Sequence, residues 1–112
     1  MQRRGSVPEG TFVTVCGFSA YRGIEPFNIG ARFMCQKEPD NPYDDEAIRV
    51  MDDSGMTIGY LANGGNTRAN GTLSASRVYD RVGNLFVIEV WFTTRTKIIC
   101  KVVIFDAMEG VV

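Results

Sequence analysis

Apolar and polar residues alternate along most of this chain, in short segments that turn-forming residues separate. Alternation with a period of two is typical of β-strands that bury one face. The pattern predicts six strands, which lie at residues 11–18, 31–37, 47–51, 56–61, 85–94 and 98–105. In the fifth of these, alternation places four apolar side chains on one face: Phe86, Ile88, Val90 and Phe92.

One segment, residues 73–82, has helical periodicity instead. Thr72 or Ser74 can cap its start, and glycine and asparagine follow its end. The side of this helix that faces the core is predicted to carry Leu73, Ser76, Val78 and Val82.

Six short strands and one main helix predict a mainly β (α+β) fold. A closed or partly closed antiparallel barrel is favoured because closure removes exposed strand edges, and an open sandwich is the alternative. We expect one domain at residues 11–105, preceded by a loose lead-in at residues 1–10 and followed by a tail at residues 106–112.

Composition narrows the function. The chain has 112 residues, a net charge of -1, three cysteines without pair spacing and no histidine. The net charge indicates no general attraction to a polyanion. The cysteine spacing and the lack of histidine argue against a zinc site, disulfides and histidine-based catalysis. Because no signal peptide or long apolar segment is visible, we expect a cytoplasmic domain that has no membrane partner.

Acidic residues cluster in residues 38–46 and again at Asp52 and Asp53. Such a cluster is one way to hold the metal of a nuclease, for which Lys37 is the only basic partner nearby. However, the ligand spacing of a calcium loop is absent, and aspartate and asparagine commonly form turns. We therefore predict no metal, no cofactor and no enzymatic activity.

The same segment contains Pro39, Pro42 and Tyr43, so it is predicted to be rigid. Two interpretations of Tyr43 remain open. It is either an exposed ring that forms a small recognition site with Asp44, or a buried ring that anchors the turn.

The glycine- and asparagine-rich residues 63–71 form the most flexible-looking loop, whose amides are able to cradle a phosphate with Arg68 as counter-charge. A plain surface loop is the simpler interpretation. Other basic side chains are candidates for one basic face: Arg22, Arg77, Arg81, Arg95 and Lys97.

The central block resembles the HIRAN domain, in its stand-alone bacterial type. The resemblance lies in the D-N-P-Y-D segment at residues 40–44, in Ala47, Ile48 and Val50, and in the I-G-Y-L segment at residues 58–61. It implies an OB-like β-barrel that binds the 3′-hydroxyl end of single-stranded DNA in DNA repair or replication. Tyr43 would then stack on the terminal nucleotide, Asp44 would accept the hydroxyl, and Asn41 would shape the pocket.

The resemblance extends the predicted nucleic-acid site to four further residues: Tyr21, Arg22, Tyr60 and Asn63. An arginine-aromatic pair of the family is replaced by residues 19–22, and a basic position is replaced by Ala62 and Asn63. DNA binding is therefore expected to be weak or to depend on a partner such as a helicase or nuclease. The alternative function is a protein-interaction or assembly barrel, including a homo-oligomer, that uses exposed aromatic residues such as Trp91.

Overall fold

The computed structural model describes residues 10–107. Most of the predicted lead-in and the last five residues of the predicted tail lie outside the described residues. The described residues form six strands: β1 (Phe12–Cys16), β2 (Arg32–Glu38), β3 (Ala47–Met51), β4 (Thr57–Leu61), β5 (Leu85–Thr93) and β6 (Ile98–Ile104). Each lies within one residue or two of its predicted position.

The six strands form a closed barrel in the order β1-β4-β3-β2-β5-β6, and β6 pairs again with β1. Every neighbouring pair is antiparallel. The predicted six-stranded antiparallel barrel is therefore confirmed, and the open sandwich is wrong. Within residues 10–107, closure gives every strand a paired neighbour on both sides, although β1 and β4 pair over two residues only.

The barrel core consists of side chains from alternate positions of the strands. Phe86, Ile88 and Val90 of β5 are essentially inaccessible to solvent, as the alternation predicts. Cys35 and Cys100 are buried in the same core, and burial raises the pKa of both thiols. They are small core residues with free thiols, whereas Cys16 at the end of β1 is only partly buried.

Phe92 departs from the alternation of β5. The pairing of β5 with β6 shifts register between Val90 and Phe92, so that Trp91 is an extra residue in a β-bulge. Phe92 stands opposite Ile99 and is 52% exposed. The prediction that Phe92 lies inward with Phe86 is wrong, because one inserted residue reverses the face of the next side chain.

The helix is shorter than predicted. Helix α1 spans Ala75–Tyr79, and Ser74 caps it by accepting a hydrogen bond at 3.3 Å from the backbone N–H of Arg77. Leu73 instead bridges to Val13 in an extended conformation, because its N–H donates to the carbonyl of Phe12 at 2.8 Å. Pairing with β1 therefore replaces the predicted first turn. Within residues 10–107, no helix is long and apolar enough to cross a membrane.

Two glycines shape the end of β1. Gly17 has φ of +70°, in the region that favours glycine, and it turns the chain into a short 3-10 helix at Phe18–Ala20. On β4, a Cβ at Gly59 would lie 2.8 Å from Cγ1 of Val15. The close approach of β1 to β4 therefore depends on Gly59, and Cβ of Phe18 lies 3.8 Å from the same position.

Candidate nucleic-acid interface

The loop between β2 and β3 is held in shape by the side chain of Asn41. Its amide oxygen accepts hydrogen bonds from the backbone N–H groups of Tyr43 at 2.8 Å and Asp44 at 3.2 Å. This is the Asx-turn chemistry that favours asparagine in turns. The backbone N–H of Asn41 in turn donates to the carbonyl of Glu38 at 3.0 Å. Local bonds thus determine where the next two side chains lie.

Tyr43 points into solvent and is 95% exposed. The interpretation of Tyr43 as a buried anchor of the turn is therefore wrong. An exposed aromatic ring on a loop fixed by two prolines and an Asx turn loses little conformational entropy when a planar ligand stacks on it.

Asp44 lies beside Tyr43 and is partly buried. Its Oδ1 accepts a hydrogen bond from the backbone N–H of Glu46 at 2.9 Å, and its backbone carbonyl accepts one from Ala47 at 3.1 Å. These bonds fix the carboxylate, and an ionised carboxylate has acceptor capacity for further donors. Asp44 is thus placed to accept a hydrogen bond from a ligand hydroxyl.

Glu38, at the end of β2, connects this loop to β4. Its Oε1 accepts hydrogen bonds from the hydroxyl of Tyr60 at 2.8 Å and from the side-chain amide of Asn41 at 3.0 Å. Nε of Arg49 lies 3.7 Å from the other carboxylate oxygen. Burial, followed by the hydrogen bond and charge of Glu38, raises the pKa of Tyr60 to about 12.

Sequence reasoning missed Glu38 as the residue that joins the loop to Tyr60. Its position three residues before Asn41 is compatible with a turn contact, but nothing along the chain links it to Tyr60. That link arises because β3 lies between β2 and β4 in the barrel. Glu38 pairs with Ala47, whereas Tyr60 pairs with Arg49.

A hollow of about 420 Å³ opens between the loop and β4. This volume is within the usual range of small-ligand pockets. Five of the seven predicted site residues line it: Tyr21, Asn41, Tyr43, Asp44 and Tyr60. The remaining lining residues are Pro42, Ala47 and Leu61. We call this hollow the tyrosine pocket.

The two other predicted site residues do not line the tyrosine pocket. The guanidinium of Arg22 lies 3.5 Å from Oδ2 of Asp52 at the β3–β4 turn. The side-chain oxygen of Asn63 accepts a hydrogen bond at 3.1 Å from the backbone N–H of Ser76 in α1. Among the described residues that line the pocket, none is a lysine or arginine.

The side chain of Lys37, the candidate nuclease lysine, is directed elsewhere. Its Nζ donates to the carbonyl of Val82 at 2.7 Å and lies 4.4 Å from the centre of the Tyr79 ring. Asp52 accepts the hydrogen bonds of its own turn, from the N–H groups of Ser54 and Met56. In the part of the chain that the structure describes, no three cysteine, aspartate or glutamate side chains form a group suited to a metal ion.

The predicted basic side chains separate into different places. Arg68 is partly buried and donates to the backbone carbonyl of Thr72, so it braces the loop at residues 63–71 instead of facing a ligand. Arg95 and Lys97, in the turn between β5 and β6, line a second hollow of about 460 Å³. Cys16, Ser19 and Thr67 lie on the wall of this hollow, which we call the basic hollow.

Of three comparisons with known proteins, one gave a match. Searches of curated proteins and of solved structures each gave no significant match. The family model described as HIRAN domain matches residues 9–103, which is most of the chain. The matched region includes every residue of the tyrosine pocket and the whole barrel except Ile104, the last residue of β6. The chain therefore belongs to the HIRAN domain family, a family of nucleic-acid-binding modules.

Proposed function

We propose that this protein is a non-enzymatic module that binds the 3′-hydroxyl end of single-stranded DNA in the tyrosine pocket. Tyr43 stacks on the terminal nucleotide, and the carboxylate of Asp44 accepts a hydrogen bond from the 3′-hydroxyl. The observation that carries this proposal is the exposure of the Tyr43 ring directly beside a carboxylate that the loop backbone holds in place.

The chemistry of Asp44 favours a free hydroxyl over a phosphate. A carboxylate accepts a hydrogen bond from a hydroxyl, and such charge-assisted bonds contribute about 1.5–3 kcal/mol. A 3′-phosphate offers negative charge to the same carboxylate and is repelled. The pocket walls supply no lysine or arginine to offset this repulsion, as far as the described residues show.

Tyr21 and Tyr60 form the opposite side of the pocket and have different roles in this proposal. Tyr21 is 46% exposed, so its ring is available to the ligand. Tyr60 donates its hydroxyl hydrogen to Glu38 and keeps the loop attached to β4. Tyr60 is therefore a positioning residue for Tyr43 and Asp44.

The experiment is a fluorescence-anisotropy titration of the full chain with a short single strand that is labelled at its 5′ end. One strand has a free 3′-hydroxyl and the other a 3′-phosphate. We expect a clear preference for the strand with the free 3′-hydroxyl. Tyr43→Ala should lose roughly tenfold or more in affinity, in line with the binding free energy that one stacked base contributes. Equal affinity for the two strands would overturn the proposal.

Asp44→Asn separates shape from charge. Asparagine has the size of aspartate but lacks its charge, so the variant should lose the preference for hydroxyl over phosphate while Tyr43 still stacks. Met56→Ala is the matched control, because Met56 is 65% exposed at the distant β3–β4 turn. It should bind both strands as the unchanged protein does.

The absence of lysine and arginine from the described lining also supports weak binding at this site, with small salt dependence. We propose that affinity in the cell comes from a larger partner, such as a helicase or nuclease acting in DNA repair or replication in a bacterial cytoplasm. Binding that is already tight for the isolated chain would contradict this part. Light scattering tests whether the chain forms a homo-oligomer.

A further inference from the structure

Two large aromatic side chains lie on the outside of the barrel at the β-bulge: Trp91 by the alternation of β5, and Phe92 because of the extra residue. Trp91 is 42% exposed and Phe92 is 52% exposed. Together with Phe12 and Ile99 they line a groove of about 480 Å³, which is closed on one side by residues 69–72. The Phe12 ring meets the Trp91 ring edge to face at 5.1 Å. We call this the aromatic groove.

The groove carries positive charge although the chain as a whole has a net charge of -1. Lys97 is the one charged residue among the described residues that line it. Nζ of Lys101 lies 5.4 Å from the centre of the Trp91 ring. Glu89 stands opposite Lys101 in the β5–β6 ladder. Its Oε2 lies 3.2 Å from Nε of Arg32, with which it forms an ion pair.

The basic hollow borders the aromatic groove and comes within two residues of the tyrosine pocket along the chain. Lys97 lines both the aromatic groove and the basic hollow. At its other side, the basic hollow is lined by Ser19, two residues before Tyr21 of the tyrosine pocket. The surface therefore presents the carboxylate and ring of the tyrosine pocket, then the cations and hydroxyls of the basic hollow, and then the two rings of the aromatic groove.

We propose that the aromatic groove binds an unpaired base of the same single strand, on the 5′ side of the end that occupies the tyrosine pocket. Phosphates of the strand pass Arg95 and Lys97 in the basic hollow. This inference rests on the proposed function, because it takes the tyrosine pocket as the place where the strand ends. Rings that alternate with cations suit a polymer in which bases alternate with phosphates.

The experiment uses Trp91 as its own reporter, since it is the single tryptophan of the chain. The full chain is titrated with a dinucleotide and with a longer oligothymidylate, both with free 3′-hydroxyls. We expect the longer strand to quench the Trp91 emission and to bind about tenfold more tightly, as one further stacked base would produce. The dinucleotide should leave the emission unchanged. Only the longer strand should bind with a steep salt dependence.

Phe92→Ala and Lys97→Ala test the two parts of the groove. Both variants should lose the tighter binding of the longer strand and keep the affinity for the dinucleotide, which also shows that they are folded. Met56→Ala and Arg77→Ala are the matched controls, because they remove an exposed apolar side chain and an exposed charge elsewhere. Both controls should retain the tighter binding of the longer strand.

The outcomes separate this inference from the proposed function. Equal binding of both strands without quenching would overturn the groove assignment and leave end recognition standing. Quenching by the longer strand, without any preference for a free 3′-hydroxyl, would retain the groove and overturn end recognition. A third outcome is that DNA leaves the Trp91 emission unquenched, while an acidic phenylalanine-containing peptide quenches it or the chain self-associates through Trp91. The aromatic groove would then bind a protein partner and not a DNA strand.

Discussion

The β2–β3 loop and the β5–β6 hairpin both present aromatic rings to solvent, but different forces expose them. Tyr43 is exposed because Asn41 bonds the backbone of the next residues. Trp91 faces outward by alternation, and Phe92 is exposed beside it because β5 has one residue more than β6 at that point. The first is local turn chemistry, whereas the second is a property of two paired strands.

This difference determines what each region tolerates. The loop depends on a few side-chain-to-backbone bonds, each with a net value of about 1 kcal/mol. The hairpin depends on the register of β5 against β6, which is secured by the buried residues on either side of the bulge. Substitutions in the loop should therefore alter the site gradually, whereas substitutions of the buried residues beside the bulge should act mainly through the core.

The largest expected effect on stability tests whether the bulge separates Phe86 from Phe92. Phe86→Ala should destabilise the protein by about 3–5 kcal/mol, because it leaves a cavity in the barrel core. Phe92→Ala should cost less than about 1 kcal/mol, since that ring is already half exposed. Chemical denaturation of both variants measures the difference. Similar losses would mean that the two rings share the core, as simple alternation predicts.

Asn41→Ala should have the next largest effect, because it removes the acceptor of two backbone N–H groups and the donor to Glu38. We expect a loss of about 1–2 kcal/mol in unfolding free energy, and a larger relative loss of strand-end binding. Asn41→Asp retains the acceptor that makes the Asx turn but replaces the amide donor to Glu38 by a second carboxylate, so it tests the contact with Glu38 separately from the turn. If Asn41→Ala binds as well as the unchanged protein, local bonds do not determine the pocket.

Tyr60 should be recognisable by its titration. Its pKa in the folded protein, about 12, exceeds the ordinary value of 10.0, so its contribution to stability is fully present below pH 10 and is lost as the pH rises towards 12. Ultraviolet titration should show this late step, and Tyr60→Phe should remove it. Glu38→Gln should move the step to lower pH, because it removes one negative charge beside the phenol.

The matched control for this titration is Tyr43→Phe, which alters an exposed ring of the same pocket. It should leave the late step in place. Loss of the step in Tyr43→Phe would show that Tyr60 is not the group responsible, and the attachment of the loop to β4 through Glu38 would need another explanation.

The smallest effect concerns Cys16. It is only partly buried and lines the basic hollow, whereas Cys35 and Cys100 lie in the core. A thiol reagent should modify Cys16 first, although slowly, because burial raises the pKa of its thiol. A bound long strand should slow this modification further. If a dinucleotide protects Cys16 as well as the long strand does, the long strand does not pass through the basic hollow.

Local patterns were enough to predict six strands and a rigid turn at residues 38–46, because alternation and turn chemistry act between near neighbours in sequence. They left Tyr43 open between an exposed ring and a buried one. Resemblance of the central block then indicated the family that the match over residues 9–103 shows. Tyr21, which lies after the first strand, also reached the predicted pocket.

Only the tertiary structure decided the features that depend on partners distant in sequence. Pairing with β1 shortened the helix at Leu73, and pairing with β6 turned Phe92 outward. Strand order brought Glu38 to Tyr60 across β3, while Arg22 and Asn63 are bonded elsewhere. The physical reason is that register and strand order are set by burial of the whole core, which no short stretch of sequence contains.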